Sequence, residues 1–324
     1  EEHENISLAV INQLTQHEDP SIRSAAVRTL GFISTNRPDI EEEYVINCLD
    51  DNDPQVRLEA IFALGKIGVE KPVKISEILI QKFYHIDRDD EENINEIEMY
   101  AETLGIIGSK YPSNELIISL QAALMGDTHP FSKDVIAKAL GKIGEGMIKS
   151  GNATRNIKKD SFYNQISWLR ASDKKEYTIG NLIIIFIEAL QLKGIPDPVM
   201  NEISDAIQDL LPVFLFIEES DKSRENNILE TIKELLAQAY YSNYNSEILE
   251  TIDRIDSLIS FKQYFEIENP ILKKELLFYT KNYTPDARQF FDQGNLFQIL
   301  AEKNEEYLQY ALKSFEISVE LAPY

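Results

Sequence analysis

The chain has 324 residues, 43% of them hydrophobic and 27% charged, a balance that excludes wholesale disorder and allows either two ordinary domains or one elongated repeat array. Asp and Glu number 55 against 32 Lys and Arg, and the resulting net charge of −23 repels nucleic acid and anionic membrane surfaces at long range. The single cysteine, Cys48, excludes an internal disulfide framework and points to a reducing, cytoplasmic compartment.

The chain opens Glu1-Glu2-His3 without an initiator Met, which raises the expectation of a longer parent polypeptide. From Ile6, ISLAVINQLTQ predicts a first helix, and DPSIRSAAVRTLGFIS (residues 19–34) a second. In the latter, Asp19 suits the N-cap, Pro20 the first helical position, and Ile22, Ala26, Leu30 and Ile33 recur at helical spacing. The same order follows three more times. DIEEEYVINCLDD precedes DPQVRLEAIFALGKIG (53–68), VKISEILIQKFYHI precedes NINEIEMYAETLGIIG (93–108), and SNELIISLQAALMG precedes HPFSKDVIAKALGKIG (129–144). The Leu-Gly pairs at 30–31, 64–65, 104–105 and 140–141 are spaced by 34, 40 and 36 residues. A period in that range marks stacked helix pairs, each unable to bury its apolar face alone.

The pattern DPxVRxxAxxALGxIG resembles the HEAT repeat, in the short bacterial form also found in phycobilin lyases. The match is close in the first two copies; the third has Ile97 and the fourth Lys133 in place of the arginine. The resemblance implies an all-α fold, an α-solenoid of antiparallel helix pairs, over residues 1–150.

Residues 151–176 break the pattern with a basic and aromatic junction, and helical periodicity resumes over 177–324. Helices are expected from Tyr177, Pro198, Arg224, Ser246 and Asn269, with Pro212 kinking the second. NLIIIFIEAL (181–190) is too short for the roughly 20 residues of a membrane span and reads as a buried helix. Near the end, Gly294, Phe297, Ala311, Phe315, Ser318 and Pro323 resemble one tetratricopeptide repeat with an overlong loop.

No GxxxxGK[ST], GxGxxG, GxSxG or HExxH motif is present, and the four histidines are scattered. Gly65-Lys66 and Gly141-Lys142 lie inside helical repeats and cannot cradle a phosphate. Paired His-Glu steps hold iron in the HEAT-repeat deoxyhypusine hydroxylases, but here only His3-Glu4 and His17-Glu18 occur, and His17 reads as a turn residue. The acid excess argues against the basic face of HEAT-like DNA glycosylases. Arg23 and Arg57 are expected to bond the turn aspartates Asp19 and Asp53 as an internal ladder.

Two sets of residues remain as binding candidates. On the concave face, Arg28, Phe62, Glu102 and Lys138 follow Ser24, Leu58, Glu98 and Asp134 by four positions, and Leu58 with Phe62 makes that face partly apolar. Packing against a neighbouring repeat is the alternative. In the junction, Lys158, Lys159 and Arg170 interleave with Phe162, Tyr163 and Trp168, residue types that anchor interfaces or fill a seam. The expectation is a non-enzymatic module with a protein or peptide partner, no nucleic acid, no membrane and no cofactor, and with a signalling NTPase as one larger setting. The alternative implied by the resemblance is a phycobilin lyase-like protein handling a tetrapyrrole.

Overall fold

The computed structural model describes residues 2–34, 42–88, 90–126, 128–149, 179–211 and 228–264, together with Leu308 and Leu312. Among these residues all regular structure is helical. The elements are α1 (Glu2–Leu14), α2 (Pro20–Ile33), α3 (Glu43–Asn47), α4 (Pro54–Gly68), α5 (Pro72–His85), α6 (Ile94–Lys110), α7 (Asn114–Met125) and α8 (Lys133–Lys149). After the junction come α9 (Ile179–Leu190), α10 (Asp197–Leu210), α11 (Ile228–Asn243) and α12 (Ser246–Tyr264).

Local chemistry sets the helix starts. Asp19 accepts from the Ser21 N–H at 2.8 Å and Asp53 from the Gln55 N–H at 2.9 Å, and each is followed by a proline whose missing N–H costs nothing in the first turn. His17 Nδ1 accepts from the Asp19 N–H at 3.0 Å, the turn role expected of it. The first helix of the second repeat is short, because α3 runs directly into a 3-10 turn at Cys48–Asp50. Cys48 is buried there, and burial together with the Asp51 carboxylate pushes its thiol up to about 11.

The chain divides into two compact units, one of Glu1–Leu210 with Leu235–Ile248, the other of Leu211–Glu234 with Leu249–Tyr324. In the first, α2, α4, α6, α8 and α10 pack side by side in one row, and α1, α3, α5, α7 and α9 lie against them as the first helices of their pairs. In the second, Lys233 pairs with Asp256. Pro212, the helix expected from Asn269 and the tetratricopeptide-like segment lie outside the described residues.

The repeated glycine explains how the row stacks. A Cβ on Gly31 would stand 2.8 Å from Ala63 Cα, one on Gly65 3.0 Å from Thr103 Cγ2, and one on Gly105 2.9 Å from Ala139 Cα. Each glycine is therefore a seat for the small residue two positions before the next glycine. Beside it the leucines Leu30, Leu64, Leu104 and Leu140 are fully buried. Gly141 continues the rule, meeting Ala206 at 3.1 Å, and Gly144 meets Leu210 as Gly108 meets Ile143. The register thus runs on past residue 150: Ala206, Ile207 and Gln208 of α10 stand where Ala63, Leu64 and Gly65 stand in α4. Among the described residues no helix is long and apolar enough to cross a membrane, and Asn181–Leu190 is a buried part of α9.

Candidate functional site: the open face of the second-helix row

Arg23 and Arg57 bind acids of the following repeat, not the turn aspartates Asp19 and Asp53 of the sequence expectation. Arg23 Nε and Nη2 each donate to the Asp51 carboxylate at 2.7 Å, and Nη1 donates to the carbonyls of His17 and Glu18 at 2.8 and 2.9 Å. Arg57 Nε donates to Glu96 Oε1 at 2.7 Å and Nη1 to the Asp51 carbonyl at 2.9 Å. The reach explains the difference: Asp19 and Asp53 are occupied capping their own helices, and an arginine one turn into the helix points across the groove to the neighbouring pair. The ladder is consequently a bond between repeats. It ends where Ile97, fully buried, replaces the arginine; Lys133 turns back to the Gly126 carbonyl at 2.9 Å.

Further cross-repeat pairs follow the same plan. Arg28 Nε donates to Glu59 at 2.9 Å, and Gln55 Nε2 reaches the same carboxylate at 3.0 Å. Lys71 and Lys74 converge on Glu42 at 2.5 and 2.9 Å. Burial works to raise the Glu42 carboxyl, but these two ammonium groups outweigh it and hold it at about 2.

The positions seven and three before each glycine, and one after it, stay half-buried or exposed along the row. They are Ser24, Arg28 and Phe32 on α2; Leu58, Phe62 and Lys66 on α4; Glu98, Glu102 and Ile106 on α6; and Asp134, Lys138 and Lys142 on α8. The structure thus brings all five candidates, Arg28, Leu58, Phe62, Glu102 and Lys138, onto one face, though Arg28 is engaged with Glu59. Phe32, 59% exposed, meets the Phe62 ring edge-on at 5.9 Å between centroids, and Lys66 lies 5.2 Å from the Phe62 centroid. At the other end Lys142 faces Glu102 at 3.9 Å. A cavity of about 490 Å³ opens beside Arg28, lined also by Pro20, Ser21, Ser24, Thr29 and Gln55.

Sequence reasoning missed Phe32, Lys66 and Lys142, although the position after each glycine carries the signal. It also missed Asp205 and Asp209 of α10, which stand where Phe62 and Lys66 stand in α4, and Glu202 beside them at the place of Glu59; their register becomes readable only once Ala206 is seen against Gly141. Burial, then the like charges of Asp205 and Asp134, raises the Glu202 carboxyl against the pull of Lys138 and Lys142. The junction candidates Lys158, Lys159, Phe162, Tyr163, Trp168 and Arg170 lie outside the described residues. Among the described residues no cluster of three or more His, Cys, Asp or Glu is arranged to hold a metal ion.

Stacked helix pairs with a glycine seat and a charge ladder at the junctions define a helical-repeat scaffold. The family model for HEAT repeats matches residues 7–81, so this part of the chain is similar to a HEAT-repeat array. Two solved structures, both described as engineered proteins, are similar to the chain. One is 15% identical, with a TM-score of 0.43, over 79% of this chain and 97% of its own length. The other is 13% identical, with a TM-score of 0.34, over 97% and 99%. No curated protein matches the chain.

Proposed function

We propose that the chain is a non-enzymatic interaction module that holds a protein segment along the open face of α2, α4, α6, α8 and α10. The observation that supports this reading is the placement of Phe32, Leu58 and Phe62: three apolar side chains gathered on the face of the row that its first helices leave uncovered. An exposed apolar patch rimmed by charge is the usual form of a docking surface. Stacked repeats suit the task, since each adds one helix of rigid, prepaid binding surface.

A photo-reactive amino acid placed at position 62, and separately at the exposed Ile118 of α7, tests the proposal in the producing cell. Discrete cross-linked species from position 62 but not from 118 are expected. Equal or absent cross-linking at the two positions would refute the docking face.

A further inference from the structure

The open face changes chemistry along the row. Over α2 and α4 it presents Phe32, Leu58 and Phe62. Over α6, α8 and α10 it presents Glu98, Glu102, Asp134, Asp205 and Asp209 against two lysines, Lys138 and Lys142, and Glu202 lies beside them at the place Glu59 holds in α4. Among the described residues of the first three repeats, four buried or half-buried acids have cations of a neighbouring repeat: Asp51 has Arg23, Glu59 has Arg28, Glu96 has Arg57 and Glu42 has Lys71. Among the described residues the α6–α10 stretch of the face carries more carboxylates than ammonium groups. Burial, then the Asp134 charge, raises the Glu98 carboxyl, and burial raises that of Glu202 against the pull of Lys138 and Lys142, so keeping these carboxylates ionised is a cost to the folded chain. A surface that keeps such a cost, continuous with an exposed aromatic patch, is complementary to positive charge supplied from outside.

We infer that this face takes a cationic amphipathic peptide segment, its apolar or aromatic anchor on Phe32, Leu58 and Phe62 and its lysines or arginines along Glu98, Asp134, Glu202 and Asp205. The inference rests on the docking reading above and adds the partner's chemistry and direction. With helices of such a row about 8–10 Å apart, α4 to α10 spans roughly 24–30 Å. An extended segment of about eight or nine residues covers that length.

The test uses a fluorescein-labelled synthetic peptide, Leu-Trp-Leu followed by a tail of alternating Lys and Ala, and twins with every Lys replaced by Gln or by Glu. Fluorescence anisotropy at low salt should show the Lys peptide binding at least about tenfold tighter than the Gln twin, with the advantage shrinking as salt shortens the screening length. Combining Glu98→Gln, Asp134→Asn, Glu202→Gln and Asp205→Asn should erase the Lys advantage while circular dichroism stays helical. A matched variant, Glu18→Gln, Glu70→Gln, Glu77→Gln and Glu115→Gln, removes the same charge from other exposed positions and should leave it intact. Equal binding of Lys and Gln peptides, equal effects of the two variants, or no binding by any peptide overturns the inference. Should the Gln twin bind and Phe62→Asp abolish that binding without any Lys advantage, the docking face stands and the cationic partner falls. Should Phe62→Asp leave every affinity unchanged, the docking face and the anchor fall together.

Discussion

Arg23 and Asp51, 28 positions apart in the chain, form a two-pronged ion pair in which Nε and Nη2 each donate to a carboxylate oxygen at 2.7 Å. The pair ties the second helix of the first repeat to the turn that starts the second. One step on, Arg57 donates from both Nε and Nη2 to the single oxygen Oε1 of Glu96. Two guanidinium nitrogens on one carboxylate, and partial burial of both partners, distinguish these pairs from the ordinary exposed salt bridge, whose contribution is small. Removing one partner should leave a half-buried charge without its counter-ion. Arg57→Ala is expected to cost roughly 1–3 kcal/mol, and Arg57→Lys to recover only part of it, because an ammonium cannot reach Glu96 and the Asp51 carbonyl together. Urea unfolding followed by circular dichroism measures both.

The glycine seats allow a prediction of sign. Gly→Ala inside a helix ordinarily stabilises by about 0.5–1 kcal/mol, since alanine has less backbone entropy to lose. At Gly105 the new methyl would stand 2.9 Å from Ala139 Cα, backbone that cannot rotate away. Steric separation of α6 from α8 should win, so that Gly105→Ala destabilises and Gly105→Leu does so by more than about 3 kcal/mol. A rise in melting temperature for Gly105→Ala would show that the helices have slack at this junction.

Acid should weaken the array through Glu42. Its carboxyl is held at about 2, below the ordinary 4.5, so the pair with Lys71 and Lys74 contributes stability that is fully present above 4.5 and is lost as pH falls from there to about 2. Glu42→Gln should lower the melting temperature at neutral pH and flatten its dependence on pH across that interval. An unchanged slope would remove Glu42 from the acid response.

Glu98 and Glu202 should behave in the opposite sense. Their carboxyls are raised, by burial first, so the ionised forms strain the fold at neutral pH, and protonation relieves the strain as pH falls toward the carboxylate range. Glu98→Gln and Glu202→Gln are expected to raise the melting temperature at neutral pH, and to gain less in mildly acidic buffer. A fall at neutral pH would mean that these side chains hold the repeats together.

Much of the architecture could be read from the chain because its determinants are local and periodic. The aspartate caps, the prolines after them and the Leu-Gly spacing belong to single helices and to the step between them. They announced the helix pairs that end at α8. The face carrying Arg28, Leu58, Phe62, Glu102 and Lys138 followed from the same register, since residues four apart share one side of a helix. The helices of the α9–α10 pair were expected from Tyr177 and Pro198, but their place in the row escaped because Gln208 stands in the glycine's place, so nothing in the pair's own sequence advertises that Ala206 fits the seat of Gly141. The partners of Arg23 and Arg57 escaped for a related reason: an arginine has several carboxylates within sequence reach, and only the packing of neighbouring repeats determines which one its side chain meets. Periodicity in the chain thus determined what stacks. Tertiary contact alone decided which charges were neutralised in the stacking, and left the carboxylate surplus on the open face of α6, α8 and α10.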